Sequence, residues 1–175
     1  NPQDYDAGQV QVWKWNGNSW SSRGQFLTGL AGYDKRGWSI SLSANGNRLA
    51  IGAPYHNNRG RVTVLDWNNN AQVYEQIYAR EGGVGTNSGY AVALSANGSR
   101  LAIGEPSASN TNGAVLVLDL SDLSDVRQLG ITINGDNDGG ESGLALSLKN
   151  NGNTLAIGDP KYDNDPKAKV RPEQG

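Results

Sequence analysis

One block of sixteen residues occurs three times in this chain: 37–52, 89–104 and 143–158. In its first copy it reads Gly37-Trp38-Ser39-Ile40-Ser41-Leu42-Ser43-Ala44-Asn45-Gly46-Asn47-Arg48-Leu49-Ala50-Ile51-Gly52. The Asn-Gly pairs begin at Asn45, Asn97 and Asn151, so the period is 52 to 54 residues. A second block keeps the same period: Gly8-Gln9-Val10-Gln11-Val12-Trp13, then Gly60 to Leu65 and Gly113 to Leu118. A fixed period of this length means that one supersecondary unit is repeated and that neighbouring units bury each other.

One unit reads as four strands. Strand a, Trp38–Ser43, alternates apolar and polar residues. Asn45-Gly46 follows, the dipeptide of a type I′ hairpin, which needs positive φ at both central residues. Strand b, Arg48–Ala53, ends at Pro54, which has no N–H to give to a ladder. Strand c, Arg61–Trp67, turns at Asn68-Asn69-Asn70 into strand d, Val73–Ala79. The first unit has only c and d, with Val10–Trp15 turning at Asn16-Gly17-Asn18 into Trp20. Four strands per period of about fifty residues predict an all-β fold of β-propeller-type, four-stranded antiparallel blades. A β-sandwich of repeated hairpins is the alternative.

The expected organisation is one repeat domain over residues 1–175, with units at about 1–30 (strands c and d), 31–82, 83–134 and 135–175 (strands a and b, Lys169-Val170-Arg171 forming a stub of c). That is about three blades' worth, fewer than the four to eight of a closed ring. The expectation is therefore a part of a larger propeller, or a chain whose open edges meet copies or partners and which is not a free monomer.

Composition narrows the function classes. Gly and Asn fill 44 of the 175 positions, a turn-rich makeup suited to short strands. The formal charge of −2 comes without a single-sign block, so nucleic acid is not an expected partner. No apolar run is long enough to span a membrane. The chain has no Cys, hence no disulfide frame and no thiolate chemistry.

The string Leu49-Ala50-Ile51-Gly52-Ala53-Pro54, a polar loop, then Gly60-Arg61-Val62-Thr63-Val64 resembles the FG-GAP repeat. Gly37-Trp38 stands at that repeat's Phe-Gly or Gly-rich start, and Gly104-Glu105-Pro106 and Gly158-Asp159-Pro160 stand in place of Gly-Ala-Pro. The resemblance runs from about Asp4 to Asp165. It implies the propeller of integrin α-subunits, and its variant is most similar to tandem repeats of secreted marine bacterial and algal proteins. It further implies an extracellular or cell-surface setting.

Many FG-GAP units hold Ca²⁺ in the a–b turn. Here those turns, Ser43–Asn47, Ser95–Ser99 and Lys149–Asn153, contain no carboxylate, and a hard cation needs several anionic oxygens. No cofactor and no metal are expected. If a metal is held at all, Asp136, Asp138 and Glu141 are its ligands, since Asp136-Asn137-Asp138-Gly139 imitates the first half of a calcium loop. Asp4 with Asp6 and Asp163 with Asp165 occupy equivalent b–c loops. The sole histidine, His56, reads as an exposed loop residue, without a nucleophile or orienting partner. Trp13, Trp15, Trp20, Trp38 and Trp67 read as blade-to-blade packing, with sugar stacking as the alternative. Asn97-Gly98-Ser99 is a formal glycosylation sequon inside a turn, where positive φ is its expected duty.

The resulting expectation is a non-enzymatic, structural or adhesive module that binds a protein or glycan through its b–c loops. The candidate residues are Tyr55, His56, Asn57, Asn58, Arg59, Ser107, Asn110, Asn112, Lys161, Tyr162, Asp163 and Asp165. The alternatives are part of a propeller-based polysaccharide lyase or hydrolase, or an architectural subunit of an extracellular filament.

Overall fold

The computed structural model describes residues 5–108, 112–136 and 139–161. The chain is all-β. The second unit is a complete antiparallel blade in the order β5 (Ser39–Leu42), β6 (Arg48–Ala53), β7 (Arg61–Asn68) and β8 (Val73–Glu81). The third repeats it with β9 (Val92–Leu94), β10 (Arg100–Glu105), β11 (Ala114–Asp119) and an outer strand split into β12 (Arg127–Gln128) and β13 (Ile133–Asn134). Before them stands a c–d half-blade, β1 (Gln9–Val10) and β2 (Trp13–Trp15) against β3 (Trp20–Ser22) and β4 (Leu27–Thr28). After them stands an a–b half-blade, β14 (Ala145–Leu148) with β15 (Leu155–Gly158). We call the four in order blades A, B, C and D. The proposed stub at Lys169–Arg171 lies outside the described residues.

The core lies between blades, as the alternating strands require. Val10, Val12 and Leu27 of blade A bury against Leu49, Ile51, Leu65 and Tyr74 of blade B. The other face of blade B, Ala50, Val62 and Val64, meets Leu101, Ile103, Leu116, Leu118 and Leu120 of blade C. Each fully buried Val, Leu or Ile among them contributes about 1.5–3 kcal/mol.

Glycine sets how closely blades approach. Gly60 (φ +78°) bridges Ser88 of the next blade, and a Cβ there would sit 2.3 Å from the Ser88 backbone. Gly8↔Arg36 and Gly113↔Ser142 repeat that bridge at the other two interfaces.

The a–b turns differ from the type I′ expectation. Gly46, Gly98 and Gly152 have positive φ, but Asn45, Asn97 and Asn151 do not. Each glycine N–H instead bonds three residues back, Gly46 to the Ser43 carbonyl at 2.8 Å. Asn45 Oδ1 accepts the Asn47 N–H, and Ser43 Oγ accepts the Arg48 N–H, both at 2.9 Å. The reason is the neighbouring blade: Ala44 N–H donates to the Ala96 carbonyl (2.7 Å), and Ala96 N–H to that of Asn150 (2.9 Å). A tight two-residue turn would not aim those groups outward. Asn97 likewise bonds Ser99 within its own turn rather than supplying positive φ.

Candidate functional site

The b–c loops and the lead-in to strand a share one end of the blades. Pro54 stops β6, and Tyr55 then opens the loop, followed by a 3-10 turn at His56–Asn58. Trp38 and Tyr90 occupy equivalent places just before β5 and β9. The three rings form one cluster: Trp38 meets Tyr55 edge-on at 5.8 Å between centroids and Tyr90 at 5.2 Å. Trp38 remains 45% and Tyr55 40% exposed. Lys35 Nζ lies 5.7 Å from the Trp38 ring and 5.3 Å from Tyr55, within cation–π range. Burial first, then Tyr55 and Glu141, push the Tyr90 hydroxyl above its ordinary range, with Lys161 opposing. Lys161 Nζ pairs with Glu141 Oε1 at 2.6 Å.

His56 corrects the expectation of an exposed residue. It is 6% exposed; its Nδ1 lies 2.9 Å from Asp34 Oδ1, and its Nε2 lies 3.0 Å from Asn57 Nδ2 and 3.3 Å from Glu81 Oε1. Asp34 Oδ2 in turn accepts the N–H groups of Leu30 and Ala31. His56 therefore pins its loop to the lead-in of strand a and is not available at the surface. Asp34 lies 22 positions away, and no local pattern announces it.

The remaining candidates divide. Asn57, Asn58 and Arg59 are exposed. Ser107 Oγ accepts from Asn87 Nδ2 at 3.1 Å, and the Asn112 carbonyl accepts the Ser142 N–H. Lys161 pairs with Glu141, and both charges act on the Tyr90 hydroxyl. Asp136 is exposed. Asn110, Tyr162, Asp163, Asp165, Asp138 and Asp4 lie outside the described residues. Lys35, Trp38 and Tyr90 were absent from the loop candidates. Their signal is the aromatic that follows the repeated glycine in two copies, where the third has Leu144.

The tryptophans divide on the packing expectation: Trp38 of blade B lies against Tyr90 of blade C, and three others are exposed among the described residues. Trp67 does pack at a blade interface, 5.1 Å from Tyr74, with the Arg23 guanidinium of blade A 4.4 Å over its ring. Trp13, Trp15 and Trp20 are exposed, with Trp15 and Trp20 paired across the hairpin at 5.6 Å. Their register equivalents in blade B, Leu65, Trp67 and Tyr74, face blade A. The blade A tryptophans thus lie on the face that blades use to pack, whereas Trp38 lies at the loop end.

At the opposite end Arg48 forks onto Asp66 at 2.7 Å and donates to the Gly98 carbonyl of blade C at 3.0 Å. The Asp66 hydrogen bond raises the Arg48 pKa further, against desolvation. Arg100 donates to the Gly152 carbonyl of blade D at 3.0 Å in the same way.

No family model matches this chain, and no curated protein matches it. Among solved structures it is similar to a candidate 6-phosphogluconolactonase of Bacteroides fragilis, at 13% identity and a TM-score of 0.54, over 87% of this chain and 36% of that one. TolB from Acinetobacter baumannii aligns at 15% identity and a TM-score of 0.48, over 86% and 35%. The chain spans about a third of the length of these two structures. At that identity the first likeness speaks to fold alone, and the fold it supports is a β-propeller type built from antiparallel four-stranded blades.

Proposed function

We propose that the chain is an FG-GAP-like run of propeller blades acting as a non-enzymatic, extracellular binding module that engages its partner with the b–c loop end. The observation that carries this is the pair of exposed rings Trp38 and Tyr55, backed by the half-buried Tyr90 and flanked by Lys35, on an end whose loops differ from blade to blade. Exposed aromatics grouped beside a cation are the residues that anchor protein and glycan partners. The extracellular setting is supported by the repeat resemblance. The His56–Asp34 pair is buried and held by Asn57 and Glu81 rather than presented at the loop surface, which favours a binding role over the lyase or hydrolase alternative.

The test is a screen of the 175-residue chain against immobilised glycans and purified surface proteins, repeated with a Trp38→Ala/Tyr55→Ala double variant. The expected result is at least tenfold weaker binding by the double variant, with unchanged circular dichroism. Equal binding by the double variant would overturn the rim as the site. Shortening of a bound polysaccharide by the wild-type chain would favour the enzymatic alternative.

A further inference from the structure

Blade B docks on blade A through a pair of rings set in a notch. The outer strand of blade A breaks between β3 and β4, and Arg23-Gly24-Gln25 lies in that break. Gly24 has φ +81°, and a Cβ on it would sit 3.0 Å from Trp67 Cζ3 and 3.5 Å from Tyr74 Cδ2. A glycine there lets the two rings lie against the backbone. Trp67 and Tyr74 pair across β7 and β8, with ring centroids 5.1 Å apart and planes inclined at 63°. The B/C interface differs on both sides. The outer strand β8 is unbroken, and the positions of Trp67 and Tyr74 are taken by Leu120 and Val126, which pack near Ile77 and Tyr78. A notch therefore goes with a ring pair, and an unbroken strand goes with aliphatic side chains.

Blade C has the notch again. Its outer strand breaks between β12 and β13, and Leu129-Gly130-Ile131 stands in register with Arg23-Gly24-Gln25. The backbone agrees: Leu129 N–H donates to the Val117 carbonyl at 2.7 Å, as Arg23 N–H does to the Val12 carbonyl at 2.8 Å. Gly130 has φ +70°, like Gly24. Yet among the described residues nothing beyond its chain neighbours lies within 4 Å of a Cβ built on Gly130, and Ile131 is 87% exposed. The ring pair that such a notch calls for stands on blade A. Trp15 and Trp20 pair across β2 and β3 at the register of Trp67 and Tyr74, 5.6 Å apart and inclined at 54°, and both are exposed. The side chains of the second notch suit them. Arg23 lies over the Trp67 ring and Gln25 bonds the Tyr74 backbone, whereas Leu129 and Ile131 offer two indoles apolar contact.

We propose that Trp15 and Trp20 of one copy of this chain dock in the Leu129–Ile131 notch of a second copy, so that copies join head to tail. The same docking lays strand c of the incoming blade A along β15, which among the described residues pairs only with β14. Strands b and c pair Leu49 with Leu65 in blade B and Leu101 with Leu118 in blade C. The corresponding partners between copies are Leu155 and Trp13. Two half-blades then form one four-stranded sheet. A head-to-tail contact closes into a ring or continues as a filament, and either is heavier than one chain. The contact lies on the faces between blades, so it stands or falls separately from binding at the loop end.

The experiment is sedimentation of the 175-residue chain over a range of concentrations, with two surface variants. Wild type should exceed the 18.6 kDa of one chain by about 100 µM and grow heavier with concentration. Because the contact is apolar, about 0.5 M NaCl should not dissolve it. Trp15→Ser/Trp20→Ser and Ile131→Asp should each weaken association at least tenfold with an unchanged melting temperature. If the double variant melts lower, Trp20→Glu alone takes its place. Each variant keeps one half of the contact, so an equimolar mixture should form a one-to-one pair that neither forms alone. A wild-type monomer at that concentration would overturn the second copy as occupant. Variants that associate like wild type, or loss of association in salt, would overturn the ring-and-notch contact. Ile131→Asp that associates like wild type while the tryptophan variant does not would mean that tryptophan faces meet each other, and a mixture that stays monomeric would likewise overturn the head-to-tail arrangement.

Discussion

The two ends of the blades follow different rules. At the a–b end the three turns are nearly the same sequence, and each is tied to its neighbour. Ala44 and Ala96 donate N–H groups to the next blade, and Arg48 and Arg100 reach the Gly98 and Gly152 carbonyls. At the b–c end the chain between the repeated Pro and Gly is Tyr55–Arg59 in one unit and Ser107–Asn112 in the next, with neither length nor composition shared. A turn whose backbone and side chains are all committed to a neighbour has few substitutions open to it. A loop that must only leave one strand and enter the next has many, and such loops are where repeat folds place recognition. The difference teaches that repetition here marks bonding between blades, and that departure from repetition marks the loops left free of that bonding.

The largest expected effect comes from the spacing that both ends share. A Cβ at Gly104 would sit 2.1 Å from the Gly143 carbonyl oxygen, and one at Gly52 would sit 2.0 Å from that of Gly89. These are backbone contacts that no rotamer relieves. Gly104→Ala should cost about 3 kcal/mol, read as a lowered urea midpoint. A parent-like midpoint would mean that blades C and D are not in this register.

Next is a contrast between two turns. Gly46 and Gly98 have φ of +67° and +72°, so valine at either is strained by about 1–3 kcal/mol. At Gly98 the new Cβ also meets Arg48 Cδ at 2.8 Å, while at Gly46 the nearest atom is a terminal nitrogen of Arg23 at 3.2 Å. Gly98→Val should therefore be the more damaging. Equal melting of both variants and the parent would show that the glycines are not left-handed.

Much of this scaffold was legible in the sequence. The bounds of strand b, Arg48–Ala53, follow from a positive residue after the turn, an apolar run and a proline stop. The turn's hydrogen bonding was not legible, because Asn-Gly serves equally a tight hairpin and a wider turn in which only Gly has positive φ. What decides is the Ala44–Ala96 bond, between residues 52 positions apart. His56 failed for a similar reason: a polar loop predicts exposure, and burial depends on an aspartate in another segment. The aromatic cluster was half visible, since Trp38 and Tyr90 repeat in sequence, but only folding brings Tyr55 beside them. The arginine ties had a signal that went unread: Arg48 and Arg100 recur at the repeat period, and Thr154 breaks it.

Removing that tie tests how much of the constant end is energetic. Arg48 is partly buried and Asp66 about a third exposed, so solvent screens the pair. Arg48→Ala should cost about 1 kcal/mol, mostly through the forked bond to Asp66 and the lost donor to Gly98. Arg48→Lys should recover little, because a single ammonium cannot fork onto the carboxylate and also reach the next blade. Full recovery by lysine in a thermal melt would show that charge alone matters there.

The smallest expected effect is that of a chelator. The oxygens at the a–b turns are amide and carbonyl groups with work already assigned. Asn45 Oδ1 accepts from Asn47 N–H and Ser43 Oγ, and the Gly46 carbonyl accepts from Arg23 at 2.9 Å and from Tyr74 Oη at 2.6 Å. At the loop end Glu141 is held by Lys161. A hard divalent cation would have to displace these bonds with few anionic oxygens in return. EDTA should therefore move the melting temperature by less than about 1 °C, inside the roughly 2–4 °C that 1 kcal/mol shifts a domain of 175 residues. A fall of several degrees, reversed by Ca²⁺, would break the comparison at its root. The variable end would then contain a structural ion, and Asp136 would be the first residue to replace by Asn.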